Sequence, residues 1–209
     1  MELLKFKNDI KKYIEDRGIE NLYHFTKADN LHGILKYGIL SRKTLTEKGI
    51  RHVYNDNMRI EGRLDANCIS IEFPNYRMFY KYRLGNPESE WCVIELDSSI
   101  LYEKNCLFCI ENAASANELK RDDISKTGIE GLKRLYYNDA YRAQINLPNS
   151  FTTNPQAEVL VLADIELKYI KNIYFKNNPV SFPVYDYPTF TFFIWKYLFD
   201  ARLDYEYWR

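Results

Sequence analysis

Apolar and polar positions alternate along this chain in a way that marks a series of short elements. Residues 2–16 carry Leu3, Phe6, Ile10, Tyr13 and Ile14 at helical spacing with Lys and Asp between them, predicting an amphipathic N-terminal helix over residues 1–17. A strand is expected at 21–25. After it comes a helix capped by Asp29 that buries Leu31, Ile34 and Leu35 and stops at Gly38. Residues 42–66 are polar and weakly patterned and read as a long loop. Strands return at 68–73 and 91–96, and the apolar, β-branched run at 157–162 reads as a buried strand. Residues 172–175 and 180–185 are further strand candidates. One helix is expected near 128–137, and Pro188 precedes an aromatic helix reaching about residue 203. Short strands among a few helices, without regular alternation, predict an α+β fold with a small mixed sheet and flanking helices.

No repeat, low-complexity tract or Pro/Gly/Ser linker interrupts the 209 residues, so a single domain is expected. Hydrophobic residues at 46% and charged residues at 28% exclude a disordered chain. The 29 cationic and 29 acidic side chains cancel, which removes histone-like or polybasic membrane binding from consideration. The most apolar stretch, 190–195, falls far short of the roughly 20 residues that span a bilayer. The N-terminal MELLKFKNDIKKY mixes charge into its apolar positions, unlike a signal peptide, so a cytoplasmic protein is expected. Aromatic residues reach 16%, including 18 Tyr, which suits either a Tyr-rich core or surfaces that stack on bases. Cys106 and Cys109 form the one C-x-x-C pair among Cys68, Cys92, Cys106 and Cys109. No second pair or nearby His completes a tetrahedral set, so free thiols and no metal are expected.

Three constellations carry candidate chemistry. Tyr23-His24-Phe25-Thr26 places a His at the end of a short strand just before a helix, able to offer ring and backbone donors to a polar ligand or to serve as a core histidine. The segment 42–83 holds nine Lys/Arg against five Asp/Glu, a local excess of four positive charges in a neutral chain. Within it Tyr76, Phe79, Tyr80 and Tyr82 interleave with Arg77, Lys81 and Arg83. Cations for phosphates alternating with rings for bases suit a single-stranded nucleic acid, and a solvated charged face flanking core aromatics would look the same. Third, the polar turn Thr152-Thr153-Asn154-Pro155-Gln156 leads Glu158 into the apolar strand Ala157-Glu158-Val159-Leu160-Val161. A carboxylate there is costly unless it faces solvent or a site.

Together these pieces resemble the DarT family, toxins that transfer ADP-ribose from NAD to a base in single-stranded DNA. The matching stretches are Tyr23-His24-Phe25-Thr26 through Asp29-Asn30-Leu31, Gly38 to Ser41, ISIEFPNYRMFY at 69–80 and TNPQAEVLV at 153–161, the last being the most specific. The resemblance implies an ADP-ribosyltransferase-like fold with NAD as co-substrate and no metal. It implies that His24, Phe25 and Thr26 hold the nicotinamide and its ribose, with Gly33 and Ser41 further along the NAD wall. Glu158 would be the catalytic glutamate, its carboxyl pKa raised by apolar neighbours. The family's arginine falls among Arg51, Arg59 and Arg63, with Arg59 preferred for both catalysis and NAD binding. Tyr76, Arg77, Tyr80, Lys81, Arg83, Arg142 and Asn154 would contact single-stranded DNA, with Lys120 and Arg121 available nearby.

FPNYRMFYKYR and Glu111-Asn112-Ala113-Ala114-Ser115 look more like a guanine-modifying than a thymine-modifying branch. The implied partners are single-stranded DNA and a macrodomain antitoxin that removes the ADP-ribose. An RNA or protein acceptor, a non-catalytic single-strand binder, and a two-carboxylate glycosidase using Glu95 or Glu111 beside Glu158 are the competing readings.

Overall fold

A computed structural model describes residues 2–54 and 62–208. Its elements are α1 (Glu2–Arg17), β1 (Asn21–Lys27), α2 (Leu31–Tyr37), α3 (Arg42–Glu47), β2 (Asn67–Ile71), α4 (Tyr76–Gly85), β3 (Trp91–Asp97), α5 (Ile100–Glu103), β4 (Cys106–Cys109), α6 (Ala116–Lys120), α7 (Gly128–Lys133), α8 (Asp139–Gln144), β5 (Glu158–Val161), β6 (Ile170–Phe175) and β7 (Thr191–Ile194). The strands form one sheet in the order β4-β5-β2-β1-β3-β6-β7. Every neighbouring pair is antiparallel except β6 and β7, so the molecule is α+β, as its pattern predicts.

The central strands are buried because their apolar runs face cover on both sides: β3 is buried from Trp91 to Leu96, and β5 along its whole length. On one face α1 turns Ile10 and Ile14 into the core and packs against α5 and α7. Arg17 at its end donates to the Tyr13 hydroxyl at 2.7 Å and lies 4.2 Å over the Tyr136 ring. On the other face a second cluster joins Tyr23, Phe73, Phe79, Trp91, Tyr174 and Phe199.

Several elements differ from those the pattern predicts. Asp29 lies inside a 3₁₀ turn (Ala28–Asn30) and caps nothing. Gly38 does end α2, at φ 84°, where a Cβ would strike the Ile165 carbonyl. The loop expected at 42–66 begins with α3, which Ser41 caps by accepting from the Thr44 N–H at 3.2 Å. Residues 180–185 form no strand, and the expected aromatic helix after Pro188 is instead β7, paired in parallel with β6, followed by a 3₁₀ turn (Lys196–Phe199). The strand expected at 68–73 ends at Ile71. Asn75 then caps α4 by accepting from the Met78 N–H at 3.2 Å.

Candidate active site

The site originates where the two central strands part. β1 pairs with β3 over all seven of its residues, but with β2 only at Leu22↔Ile71 and Tyr23↔Ser70. Beyond that point the His24 ring spans the opening, its Nδ1 donating to the Cys68 carbonyl at 2.9 Å, which fixes the proton on that nitrogen. The gap widens into a cleft of about 770 Å³ walled by β1, α2, the segment 50–54, β2 and α4. His24, Phe25, Thr26 and Gly33 all line it. Gly33 sits inside α2, and a Cβ there would meet no protein atom, so the glycine leaves open space on the wall where a helix otherwise prefers Ala.

Glu158 forms the floor. It opens β5, pairs with Cys109 of β4, is 3% exposed, and still lines the cleft. Its Oε1 accepts from Asn75 Nδ2 at 3.2 Å and its Oε2 from the Ala113 N–H at 2.8 Å. A donor on each oxygen satisfies the acceptors that burial among apolar neighbours would otherwise leave at a cost. Glu158 is thereby oriented within a hydrogen-bonded frame.

The turn that presents it is held by two buried arginines. Arg142 donates to the carbonyls of Pro148 (2.9 Å), Asn149 (3.2 Å) and Phe151 (2.7 Å) and to Thr153 Oγ1 (3.1 Å). From the other side Arg202 donates to the carbonyls of Thr152 (2.9 Å) and Thr153 (3.1 Å) and pairs with Asp204 at 2.6 Å. The Asn154 carboxamide is also turned inward, accepting from the Gln156 N–H at 2.8 Å. Arg142 and Asn154, expected on the DNA surface, thus serve the turn: their polar groups answer backbone groups, which burial makes obligatory.

The arginine candidates separate. Arg63 is ion-paired with Asp123, Arg51 lines the cleft, and the preferred Arg59 lies outside the described residues. Arg42, which the motifs do not single out, also lines the cleft and lies 4.4 Å over the Tyr54 ring. Ser41 stands behind this wall rather than on it, its N–H donating to Asp164 at 2.8 Å.

The interleaved rings and cations lie on a helix, so they divide among its faces instead of forming one stripe. Arg77 and Lys81, four residues apart, share the cleft face, with Arg77 also donating to the Trp208 carbonyl at 2.8 Å. Phe79 is fully buried, stacked on Phe25 at 4.6 Å, and Tyr76 packs on the same cluster. Tyr80 stands 59% exposed on the outer side. Arg83 is drawn under the C-terminal segment, donating to the Phe199 carbonyl with its guanidinium 4.6 Å from the Phe79 ring, and burial lowers its pKa. It packs against the C-terminal segment and lies outside the cleft that Arg77 and Lys81 line.

Three further residues of the site are given no role by the sequence reading, although two of them fall within its matching stretches. Asn75 is one. Asn30 is another: it donates to Thr26 Oγ1 (2.9 Å) and the Val53 carbonyl (2.8 Å) and accepts from the Val53 N–H (2.8 Å), tying the 50–54 wall to β1. His52 lines the cleft with its Nδ1 on the Ile50 carbonyl at 2.9 Å.

Glu95 is outside the cleft. Burial pushes its carboxyl pKa up, but the Tyr174 hydroxyl, Asn172 and Lys171 outweigh that and hold it below the usual range. Glu111 accepts from Ser115 Oγ at 2.9 Å. Neither is placed among the cleft-lining residues as a second acid for a glycosidase. The four cysteines are free thiols, and burial pushes Cys106 and Cys109 up to about 12. Among the described residues no group of three or more His, Cys, Asp or Glu could hold a metal, and no helix is long and apolar enough to cross a membrane.

Over residues 23–187 the chain matches the family model described as "ssDNA thymidine ADP-ribosyltransferase, DarT". No curated protein sequence matches it. In fold it is similar to Thermosipho africanus DarTG in complex with ADP-ribose, at 18% identity and TM-score 0.59 over 86% of this chain. It spans 50% of that longer chain. It is also similar to Thermus sp. 2.9 DarT, solved with NAD+ (16% identity, TM-score 0.54, 86% of this chain and 97% of that one) and with ADP-ribosylated ssDNA (15%, TM-score 0.54, 86% and 96%).

Proposed function

Because this chain belongs to the DarT family of single-stranded-DNA ADP-ribosyltransferases, we propose that it transfers ADP-ribose from NAD to a base of single-stranded DNA in the cleft between β1 and β2. One observation carries the reading: Glu158, a buried carboxylate with a donor on each oxygen, faces a cleft large enough for a dinucleotide. NAD supplies the ADP-ribosyl group, its bond from ribose to nicotinamide breaking with the electron pair on the nicotinamide while a base nitrogen takes its place. Glu158 meets the positive charge that develops on the ribose, and its preorganisation is what accelerates the step. It also accepts the proton that the attacking base nitrogen releases. His24, Phe25 and Thr26 hold the nicotinamide end, and the open space at Gly33 receives the ribose wall of the dinucleotide. Arg51 and Arg42, both lining the cleft, answer the pyrophosphate through charge-assisted hydrogen bonds, with Arg59 proposed as a further cation.

The acceptor strand runs along the α4 side, over Arg77 and Lys81, with Tyr80 available to stack. A single strand is the natural acceptor because its bases are already unstacked. Guanine is proposed as the preferred base over thymine, although the family's description names thymidine. The carboxamide of Gln156, on the cleft wall two residues before Glu158, offers a donor and an acceptor to read its edge. A macrodomain antitoxin is the proposed partner. Incubation with NAD and four oligonucleotides, each rich in a different base, tests the acceptor by intact mass. Addition of one ADP-ribose to the guanine-rich strand is expected. Addition to the thymine-rich strand alone would reverse the base, and NAD consumption with no labelled strand would move the acceptor to RNA or protein.

A further inference from the structure

Asn75 is fully buried and both ends of its carboxamide are engaged. Oδ1 accepts from the Met78 N–H at 3.2 Å and so caps α4, while Nδ2 donates to Glu158 Oε1 at 3.2 Å. Its backbone N–H donates to Ser70 Oγ at 3.1 Å, which fixes the residue against β2. A helix cap needs only an acceptor, and Ser or Asp supplies one as well as Asn does. A cap that also offers an N–H to a buried carboxylate requires the carboxamide. The helix it caps is the one that brings Arg77 and Lys81 to the cleft.

We infer that Asn75 is a positioning residue for the transfer: it aims Glu158 Oε1 into the cleft and ties that aim to α4. The inference rests on the assignment of Glu158 as the catalytic carboxylate. Ala113 holds the second oxygen from the opposite side, so the plane of the carboxylate is set by two donors on separate segments. Removing one takes away a donor that orients the buried group and lets it tilt. A misplacement of about 1 Å at a reacting centre costs on the order of 10²-fold in rate.

Asn75→Asp keeps the cap acceptor but sets a carboxylate oxygen against Glu158 Oε1, and two carboxylates in contact do not both ionise freely. The expected result is a fall in kcat of about 10²-fold with KM for NAD little changed, and an acid limb of the kcat–pH profile displaced to higher pH. Asn75→Ser also preserves the cap and removes the carboxamide N–H that reaches Glu158, without adding charge. It should lower kcat while leaving the acid limb closer to the wild type's, and it decides the matter if the Asp variant does not fold. Wild-type kcat in either folded variant, or losses that appear in KM alone, would overturn the inference, since a purely capping role is met by all three residues. Glu158→Gln, run beside them, separates the two levels. Transfer retained there removes the reading on which this one rests, whereas transfer lost there with normal Asn75 variants removes only the positioning role.

Discussion

The imidazole Nδ1 of His24 lies 2.9 Å from the carbonyl oxygen of Cys68, across the point where β1 and β2 separate. A side chain there replaces the ladder, so the sheet opens without leaving the Cys68 carbonyl unmet. That opening is continuous with the cleft that Glu158 lines.

His24→Ala removes this bridge. Stability should fall by about 1 kcal/mol, the usual cost of one lost hydrogen bond, while NAD affinity falls by an order of magnitude or more. Thermal unfolding and calorimetric titration with NAD measure the two. Equal affinity in the variant would remove His24 from the NAD wall.

Gly33 separates helix stability from ligand space. Gly33→Ala should stabilise the protein by about 0.5–1 kcal/mol, because Ala is the better helix former and its Cβ meets nothing. Gly33→Leu should fold equally well and weaken NAD binding by filling the wall. Undiminished NAD binding by the Leu variant would place the ribose elsewhere.

Arg77→Ala with Lys81→Ala should weaken binding to a single-stranded oligonucleotide. The dependence of log K on log salt should flatten by about 0.7 for each phosphate that is no longer neutralised. An unchanged slope, measured by fluorescence anisotropy across a salt series, would move the strand off α4.

Arg202→Met leaves Asp204 buried without its cation and frees the Thr152 and Thr153 carbonyls. Loss of one partner of a buried pair costs about 3–5 kcal/mol, and urea unfolding should show a decrease of that order. A change within about 0.5 kcal/mol, the range of ordinary surface substitutions, would mean that the turn before Glu158 does not depend on this clamp.

Glu95 gives the fold an acid limit. Its carboxyl is held below the usual range when folded, so its contribution is present above the unfolded value, near pH 4.5, and is lost as pH falls through the folded one. Glu95→Gln should flatten the decline of stability below about pH 4.5. An identical decline in both proteins would assign it to other groups.

The strands that build the centre were legible because burial on both faces leaves an uninterrupted apolar run, as in Val159–Leu160–Val161 and Val93–Ile94. Residues 191–195 misled because an aromatic run this short fits a helix or a strand, and only the parallel partner β6 decides. α3 gave no signal since it buries none of its residues. Glu158 stood out as a lone carboxylate in an apolar strand, a local anomaly. Asn75, Asn30 and Arg202 did not, for their partners lie 83, 23 and 50 residues away. Arg142 shows the converse: a cation that sequence offers to phosphates is turned to backbone carbonyls once the chain folds around it.

The role of Glu158 is tested by Glu158→Gln, assayed for transfer to the preferred oligonucleotide by intact mass and for NAD binding by calorimetry on the same sample. If the carboxylate acts on the transfer step alone, no ADP-ribosylated strand forms, and the NAD dissociation constant stays within about threefold, or roughly 0.7 kcal/mol, of the wild type's. A labelled strand from the variant, or loss of NAD binding along with the activity, would contradict that role.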